Sequence, residues 1–500
     1  MNITNIRLIK VVPRVSVLFH KEADFLMERR RNMDVVYKKL NALMTPEALA
    51  QLGEAKIIFE STNQDKLKGR YSIVVLEDYG SVTLDNNQLI INTREKIKVV
   101  NEHPYDYLKS LVNQYYVNIA DDQLKHLPFI SGFIGTCSFD LVRHEFPKLQ
   151  EIELDDHRDH DVKFYLVEDT YVFDHYKDEL YVISTNLFSN TSKSQLEAKV
   201  KQRIDELKNI NLAHERIKLK QPERQIETNI GEQEFLKIIT ELKKKIAEGD
   251  MFQVVPSRIY YYKHNFVTHL HQLSFQLYQK LKRQNPSPYM YYMNKDIPIV
   301  VGSSPESFVR VKDGLVYTNP IAGTTKRGAN KDEDKKNSHA LLKDEKEISE
   351  HSMLVDLGRN DIHRISKVGT SKITKLMEIE KYEHVMHIVS EVVGELKENL
   401  SPMSVIASLL PTGTVSGAPK LRAIQRIYEA YPFKRGIYSG GVGYINCNHN
   451  LDFALAIRTM LIDDKQVNIE AGCGVVYDSI PEKELEETKL KAKSLLEVTP

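Results

Sequence analysis

Two pairs of glutamates are the first residues in this chain whose spacing suggests chemistry. Glu347 and Glu350 lie in LLKDEKEISEHSMLVDLGRND (341–361), and Glu484 and Glu487 in PEKELEETKLKAKSLLEV (481–498). Both segments read as helices, and residues three apart share one helical face. Two carboxylate pairs from distant segments are a set of hard oxygen donors suited to one Mg2+. That ion takes one or two protein carboxylates directly and completes its shell with water and substrate oxygens. The same spacing is also that of an ordinary solvated helix face, the commoner outcome for charged residues.

Four glycine-rich turns follow: PIAGTTKRG (320–328), PTGTVSGAPK (411–420), RGIYSGGVGY (435–444) and AGCGVV (471–476). Glycine lets backbone N–H groups come close to an anion, although each turn alone could be a plain tight connection. PTGTVSGAPK lacks the GxxxxGK[ST] spacing, which excludes a nucleotide phosphate loop there. HVMH (384–387) offers two histidines, but no HExxH pattern or nearby third ligand supports zinc. Arg458 stands inside the apolar run LDFALAIRTMLI (451–462), where a charge is costly unless paired. Its natural partner is a carboxylate, of the protein or of a ligand.

These residues must be held by elements legible in the pattern. RYSIVVLE (70–77), DVKFYLVEDTYVFD (161–174) and ELYVIST (179–185) are strand-like, rich in β-branched and aromatic residues. LDNNQL (84–89), HYKDEL (175–180) and the Asp-Gly of FVRVKDGLVYT (308–318) read as hairpin turns, so the sheets are expected to be antiparallel. A polar, Lys/Glu-rich stretch at 190–228 reads as a helix (about 192–208) and a linker. After it, Phe235, Ile238, Ile239, Leu242 and Ile246 fall on one helical face, and Gly249 is a plausible stop. The expected division is an N-terminal domain over 1–190, a helix and linker over 191–228, and a catalytic domain over 229–500.

Composition sets the outer bounds. The 500 residues are 41% hydrophobic, enough for a large core, and 69 basic residues balance 69 acidic ones. No net field would draw the chain to nucleic acid or an anionic membrane. Three separated cysteines, Cys137, Cys447 and Cys473, suit neither a disulfide framework nor a zinc site and point to a reducing cytosol. The opening segment has no signal-peptide pattern and no run is long enough to span a membrane, so a soluble, cytoplasmic protein is expected. Tryptophan is absent. Up to this point the residues indicate an α+β enzyme that binds a small carboxylate with Mg2+, and they do not name it.

Read together, the segments closely resemble anthranilate synthase component I, in the chorismate-utilising enzymes. The match runs through GDMFQVVPSR (249–258), NPSPYMYY (285–292), GSSPES (302–307), PIAGT (320–324), DEKEISEHSMLVDLGRND (344–361), YEHVMHIVSEVVGEL (382–396), PTGTVSGAPK, AIRTM (456–460) and PEKELEET (481–488). IIFEST (57–62), GRYS (69–72) and PFISGFIGTCSFD (128–140) extend it into the N-terminal half.

The resemblance implies two large, mostly antiparallel sheets packed as a sandwich with helices outside, the two halves of the chain interleaving. It implies conversion of chorismate and ammonia to anthranilate and pyruvate. Glu306 matches the general acid and His387 the residue needed for pyruvate elimination. Gly323, Thr324, Tyr438, Arg458, Gly472 and Gly474 match positions lining the chorismate site. Glu350 and Glu487 match the Mg2+ ligands, with Glu347 and Glu484 close by. Related aminodeoxychorismate synthases with a covalent mechanism carry lysine at the position of Ala322, and isochorismate synthases carry a water-activating lysine at that of Gln253. Without either lysine, ammonia is the expected nucleophile.

L-Tryptophan feedback is implied at Glu60 and Ser61, where Ile58-Phe59 replaces the usual Leu-Leu, and at Pro288, Tyr289 and Met290. The Glu-Ser pair would meet the ligand's ammonium. Cys473, where glycine or alanine is usual, would make the site sensitive to thiol reagents. Thr412 replaces the usual alanine. No cysteine stands in a nucleophile-elbow context, so ammonia would come from a separate glutamine amidotransferase subunit, commonly in a heterotetramer, or from solution. Two other readings stay open: an aminodeoxychorismate synthase component I lacking the lysine, and a non-catalytic tryptophan- or chorismate-binding regulatory protein.

Overall fold

A computed structural model describes residues 33–61, 69–85, 87–155, 160–208, 224–381 and 385–498. Within them two large sheets are built from antiparallel pairs. The first runs, in spatial order, Val35–Asn41, Glu179–Thr185, Asp169–Asp174, Tyr71–Val75, Ile57–Glu60, Tyr289–Met293, Ile299–Ser304, Thr459–Ile462, Gln466–Gly472, Ser257–Lys263 and Glu227–Thr228. The second runs Ile321–Lys326, Val385–Glu395, Leu315–Thr318, Ser307–Lys312, Leu451–Leu455, Gly441–Asn446, Gly132–Cys137, Val162–Val167, Gly80–Asp85, Gln88–Thr93 and Ile97–Val100, with Lys372–Lys381 paired beside Val385–Glu395.

Side-chain alternation along the strands decides which core each residue joins. Ile57, Ile73, Val75, Tyr291 and Met293 of the first sheet meet Ile134, Tyr165, Val167, Val442 and Ala454 of the second in one buried cluster. Their strand neighbours Ile58, Val74, Met290 and Tyr292 face the other way, into a cluster with Leu277, Tyr278 and Leu281 of the helix Leu270–Gln284 and Ala492 and Leu495 of the helix Pro481–Leu496. The fold is therefore α+β: two sheets packed face to face with helices outside.

Both sheets draw strands from either side of the 191–228 stretch. Ile57–Glu60 pairs with Tyr289–Met293, and Gly132–Cys137 with Gly441–Asn446. The linear division divides the chain and not the sheets. The helices at Lys193–Lys208 and Glu232–Ala247 lie where periodicity puts them, the second burying Phe235, Ile239, Leu242 and Ile246. The Asp-Gly hairpin forms with Asp313 and Gly314 both left-handed, the conformation such a tight turn requires. One expectation is corrected. The strand-like run at 161–174 is two strands in different sheets, Val162–Val167 and Asp169–Asp174. The chain steps across at Glu168, whose carboxylate accepts from the N–H groups of Phe188 and Ser189 at 2.6 and 2.7 Å. No described helix is long and apolar enough to cross a membrane.

Candidate active site

The site lies on a seam where two neighbouring stretches of chain step from one sheet to the other. Ile299–Ser304 of the first sheet is followed, after Pro305-Glu306, by Ser307–Lys312 of the second. Beside it Leu451–Leu455 of the second sheet leads, through Ala456–Arg458, into Thr459–Ile462 of the first. The two steps are tied together: Leu455 N–H donates to Glu306 O at 3.0 Å and Ser303 N–H to Arg458 O at 3.1 Å. Arg458 is left-handed (φ +52°), a strained backbone for a non-glycine residue that persists only when its surroundings fix it. The steps put Glu306 and Arg458 on the same seam.

The Glu306 carboxyl is buried and accepts from Thr414 Oγ1 at 2.9 Å. Burial pushes its pKa up to about 7, against the lowering pull of that hydrogen bond and of Lys491. Thr412 Oγ1 lies 2.8 Å from Thr414 Oγ1, so the unusual threonine extends the hydroxyl chain that ends on Glu306. The Arg458 guanidinium is part-buried and donates to Lys491 O at 2.7 Å. Among the described residues no carboxylate forms an ion pair with it, and burial lowers its pKa. Such a cation is suited to an incoming carboxylate.

His387 sits on Val385–Glu395 opposite a bulge in Ile321–Lys326, where the register shifts between Ala322 and Thr324. Gly323 makes the bulge with φ +78°, and a Cβ there would come within 3.2 Å of Glu347 Oε2. The imidazole Nδ1 is 3.3 Å from Gly323 O and 2.9 Å from Thr324 Oγ1. Burial lowers the His387 pKa, and nearby Arg458 adds to the effect. A neutral ring donating from Nδ1 to the carbonyl keeps its basic lone pair on Nε2. His384, the other histidine of HVMH, lies outside the described residues.

Gly472 and Gly474 are glycines because neighbours approach closely. A Cβ on Gly472 would meet Tyr438 Oη and Pro256 O, each at 2.8 Å, and one on Gly474 would meet Gln253 Nε2 at 2.9 Å. Gln253 is buried and its Oε1 has no hydrogen-bond partner among the described residues, an arrangement that points to an unfilled polar role. Cys473, between the glycines, corrects an expectation. Its thiol is fully buried, and burial pushes its pKa up, so it is shielded from thiol reagents.

The glutamate pairs lie on helices as spacing predicts. Glu345–Ile365 is capped by Asp344, which accepts from the N–H groups of Lys346 and Glu347, and Pro481–Leu496 begins with proline. The two helices bring the pairs together. Burial raises the pKa of Glu350, and the negative charges of Glu347 and Glu487 raise it further. Burial and Glu487 likewise raise Glu347 and Glu484. Mutual repulsion on a half-buried face of carboxylates fits a hard cation. Among the described residues no three His, Cys, Asp or Glu side chains converge into a metal-holding group. Sequence reasoning missed Lys491 here. Its Nζ is 2.6 Å from Glu487 Oε1 and donates to Gly472 O at 2.9 Å. A lysine four residues after a glutamate on a helix was the available signal.

A separate cavity of about 320 Å³ is lined by Glu60, Ser61, Pro288, Tyr289 and Met290 among others, so the residues expected at an inhibitor site do converge. Ser61 Oγ is buried there without a partner among the described residues. Glu60 already has two partners there: its carboxylate is held by Lys282 at 2.9 Å and by the Tyr278 hydroxyl. Ile58 packs into the core under the outer helices, so of the Ile58-Phe59 change only Phe59, which lies against Tyr291 and Tyr444, shapes the cavity. Part-buried Asp452, its pKa raised by burial to about 6, accepts from Tyr289 Oη at 3.1 Å and lines this cavity together with Glu60, Glu380 and Glu391.

A family model described as chorismate binding enzyme matches residues 54–497. Anthranilate synthase component 1 of Lactococcus lactis subsp. lactis (strain IL1403) is 40% identical over 457 residues, covering 91% of this chain and 97% of that protein. The protein of the same name from Acetivibrio thermocellus is 38% identical, covering 88% and 89%. Among solved structures, anthranilate synthase component I from Streptococcus pneumoniae TIGR4 superposes with a TM-score of 0.75 at 36% identity, covering 85% of this chain and 92% of that one. The menaquinone-specific isochorismate synthase from Escherichia coli, at 19% identity, shares the fold with a TM-score of 0.68, covering 93% and 94%.

Proposed function

The chain belongs to the chorismate-binding enzyme family, and from that premise we propose that it is the large subunit of a cytoplasmic anthranilate synthase. It converts chorismate and ammonia to anthranilate, pyruvate and water. The observation that carries the choice of ammonia is Gln253, a buried amide with an unpartnered acceptor where a water-activating lysine would stand in an isochorismate synthase. A neutral amide cannot deprotonate water, but it can accept from N–H and so orient ammonia. Ala322, equally, offers no nucleophile to the substrate.

Arg458 receives a chorismate carboxylate, the partner its part-buried guanidinium otherwise lacks. Tyr438 and the close-packed Gly472–Gly474 turn shape the wall. Ammonia adds at C2, the ring double bonds shift, and the C4 hydroxyl leaves as water with a proton from Glu306. Its raised pKa supplies that proton near neutrality. His387 Nε2 then takes the C2 proton while the C3–O bond breaks, which leaves an aromatic ring; the group departs as the enolate of pyruvate and becomes pyruvate by taking a proton at its methylene carbon. Glu350 and Glu487, with Glu347 and Glu484 close by or acting through water, would hold Mg2+, and that ion would supply positive charge to a substrate carboxylate.

Ammonia is delivered by a glutamine amidotransferase subunit in a heterotetramer. All three cysteines of this chain are buried, which leaves no exposed thiol for glutamine hydrolysis here. L-Tryptophan acts as feedback inhibitor in the 320 Å³ cavity. Supporting this, Pro305 and Ser307 line that cavity while Glu306, between them, turns to Thr414.

Purified protein with chorismate, Mg2+ and ammonium, followed by anthranilate fluorescence and pyruvate together, tests the proposal. Equal formation of both, lost with EDTA, is expected. Chorismate consumed without either product would point to aminodeoxychorismate or isochorismate chemistry. Untouched chorismate with folded protein would favour a binding role.

A further inference from the structure

Lys491 is used by none of the steps above, yet it contacts Glu487, Gly472 and Arg458 of the site. It lies one turn beyond Glu487 on Pro481–Leu496, with its ammonium 2.6 Å from Glu487 Oε1. The same nitrogen donates to Gly472 O at 2.9 Å, and the Lys491 carbonyl accepts from Arg458 Nη1 at 2.7 Å. One residue thus links the acid helix, the glycine turn and the arginine. Its charge also draws down Glu306, Glu350 and Glu484. It is not locked in place: the Lys491 and Glu487 side chains are 37% and 45% exposed. An ion pair this open to solvent is weak and easily exchanged.

We propose that Lys491 is the resident counter-cation of the four-glutamate face, and that a divalent ion binding there must take Glu487 from it, leaving the ammonium on the Gly472 side of the pocket. The inference rests on the reading that these acids hold Mg2+. Lys491 is then a positioning residue. It neutralises the acids before the metal arrives, and it sets the affinity because binding must break its ion pair. Two cations cannot share one carboxylate oxygen at contact distance without strong mutual repulsion. Lys346 provides an internal control. It attracts Glu347, Glu350 and Glu484 through space but, among the described residues, forms no ion pair with them.

The test is Mn2+ binding by electron paramagnetic resonance and Mg2+ binding by calorimetry, without turnover, on wild type, Lys491→Met, Lys346→Met and Glu487→Gln. Lys491→Met is expected to bind metal about fivefold more tightly than wild type, with Lys346→Met changed by less than about twofold. Glu487→Gln should bind more weakly than wild type. Equal tightening in both lysine variants, or none in Lys491→Met, overturns the exchange while leaving the metal reading intact. No divalent binding by wild type or Lys491→Met at millimolar metal overturns both. Should Lys491→Met fail to fold, the reductively methylated Lys491 resonance of the wild-type chain gives the answer. It shifts on Mg2+ addition if the ion pair opens, and a fixed resonance through metal saturation overturns the proposal.

Discussion

Glu306 and Gln253 carry opposite demands at atomic scale. As the proposed general acid, Glu306 would work only while protonated, and burial raises its pKa to about 7. The chorismate kcat/KM, measured at constant free ammonia, should therefore fall as pH rises through about 7 and hold level below it until another group titrates. Glu306→Gln keeps the shape and loses the proton; kcat should drop roughly 10²- to 10⁴-fold with little change in chorismate affinity. A variant retaining wild-type kcat would remove Glu306 from the acid role. Gln253→Leu should lower the ammonia-dependent rate about tenfold to a hundredfold, the scale of one lost buried hydrogen bond, with chorismate binding unchanged. Neither residue was legible from spacing: an isolated glutamate after Ser-Pro and a glutamine in an apolar turn carry no pattern, and only the family resemblance singled them out. The glutamate pairs were legible because helical period puts both members on one face. Lys491 and Thr414 were not, because their importance lies in what the fold brings beside them.

At the level of elements, the seam explains what pattern reading could and could not find. Strand and helix periods survive into the structure because burial on one face enforces them. The points where the chain changes sheets do not show, since the strand-like pattern resumes at once on the far side of a step, leaving only Glu168-Asp169 in one case and Arg458 in the other as charges between apolar runs. Turn glycines are legible as glycines, but which neighbour forbids a side chain is not. That distinction is testable. At Gly472 an added methyl group would collide with the backbone carbonyl of Pro256 as well as the Tyr438 hydroxyl, whereas at Gly474 it would meet only the amide end of Gln253. A backbone oxygen cannot swing aside and a side-chain amide can. Gly472→Ala should therefore cost about 10²-fold or more in kcat/KM through displacement of the chorismate wall. Gly474→Ala should cost less and act mainly on the ammonia step through Gln253. Paired steady-state measurements with each substrate varied would decide, and equal losses in both variants would count against this reading of the turn.

Across the whole molecule, the two sheets make the 320 Å³ cavity and the candidate active site neighbours that share strands. Ile321, Val389 and Glu391 line the cavity, and two residues along the same strands stand Gly323 and His387 of the site. Pro305 and Ser307 line it too, on either side of Glu306. On the proposed reading, a ligand filling the cavity would press on the backbone that carries Glu306, the Gly323 bulge and His387, without any separate relay. L-Tryptophan should accordingly bind here and alter chorismate turnover itself, with ammonia and glutamine as nitrogen source affected alike. Ser61 supplies the unpartnered hydroxyl, and it lies outside the catalytic seam. Ser61→Ala should raise the tryptophan inhibition constant about tenfold, the scale of one buried hydrogen bond, while leaving uninhibited kcat and chorismate KM within about twofold. Because Glu60 already has Lys282 and Tyr278 as partners and Glu391 has Thr374, the ammonium of the inhibitor is expected on Asp452, which holds Tyr289 in the cavity wall. Asp452→Asn should then weaken tryptophan more than it weakens indole-3-propionate, which lacks the amine. Inhibition by both compounds reduced to the same degree would return the ammonium to Glu60 and require that carboxylate to leave its lysine when the inhibitor binds.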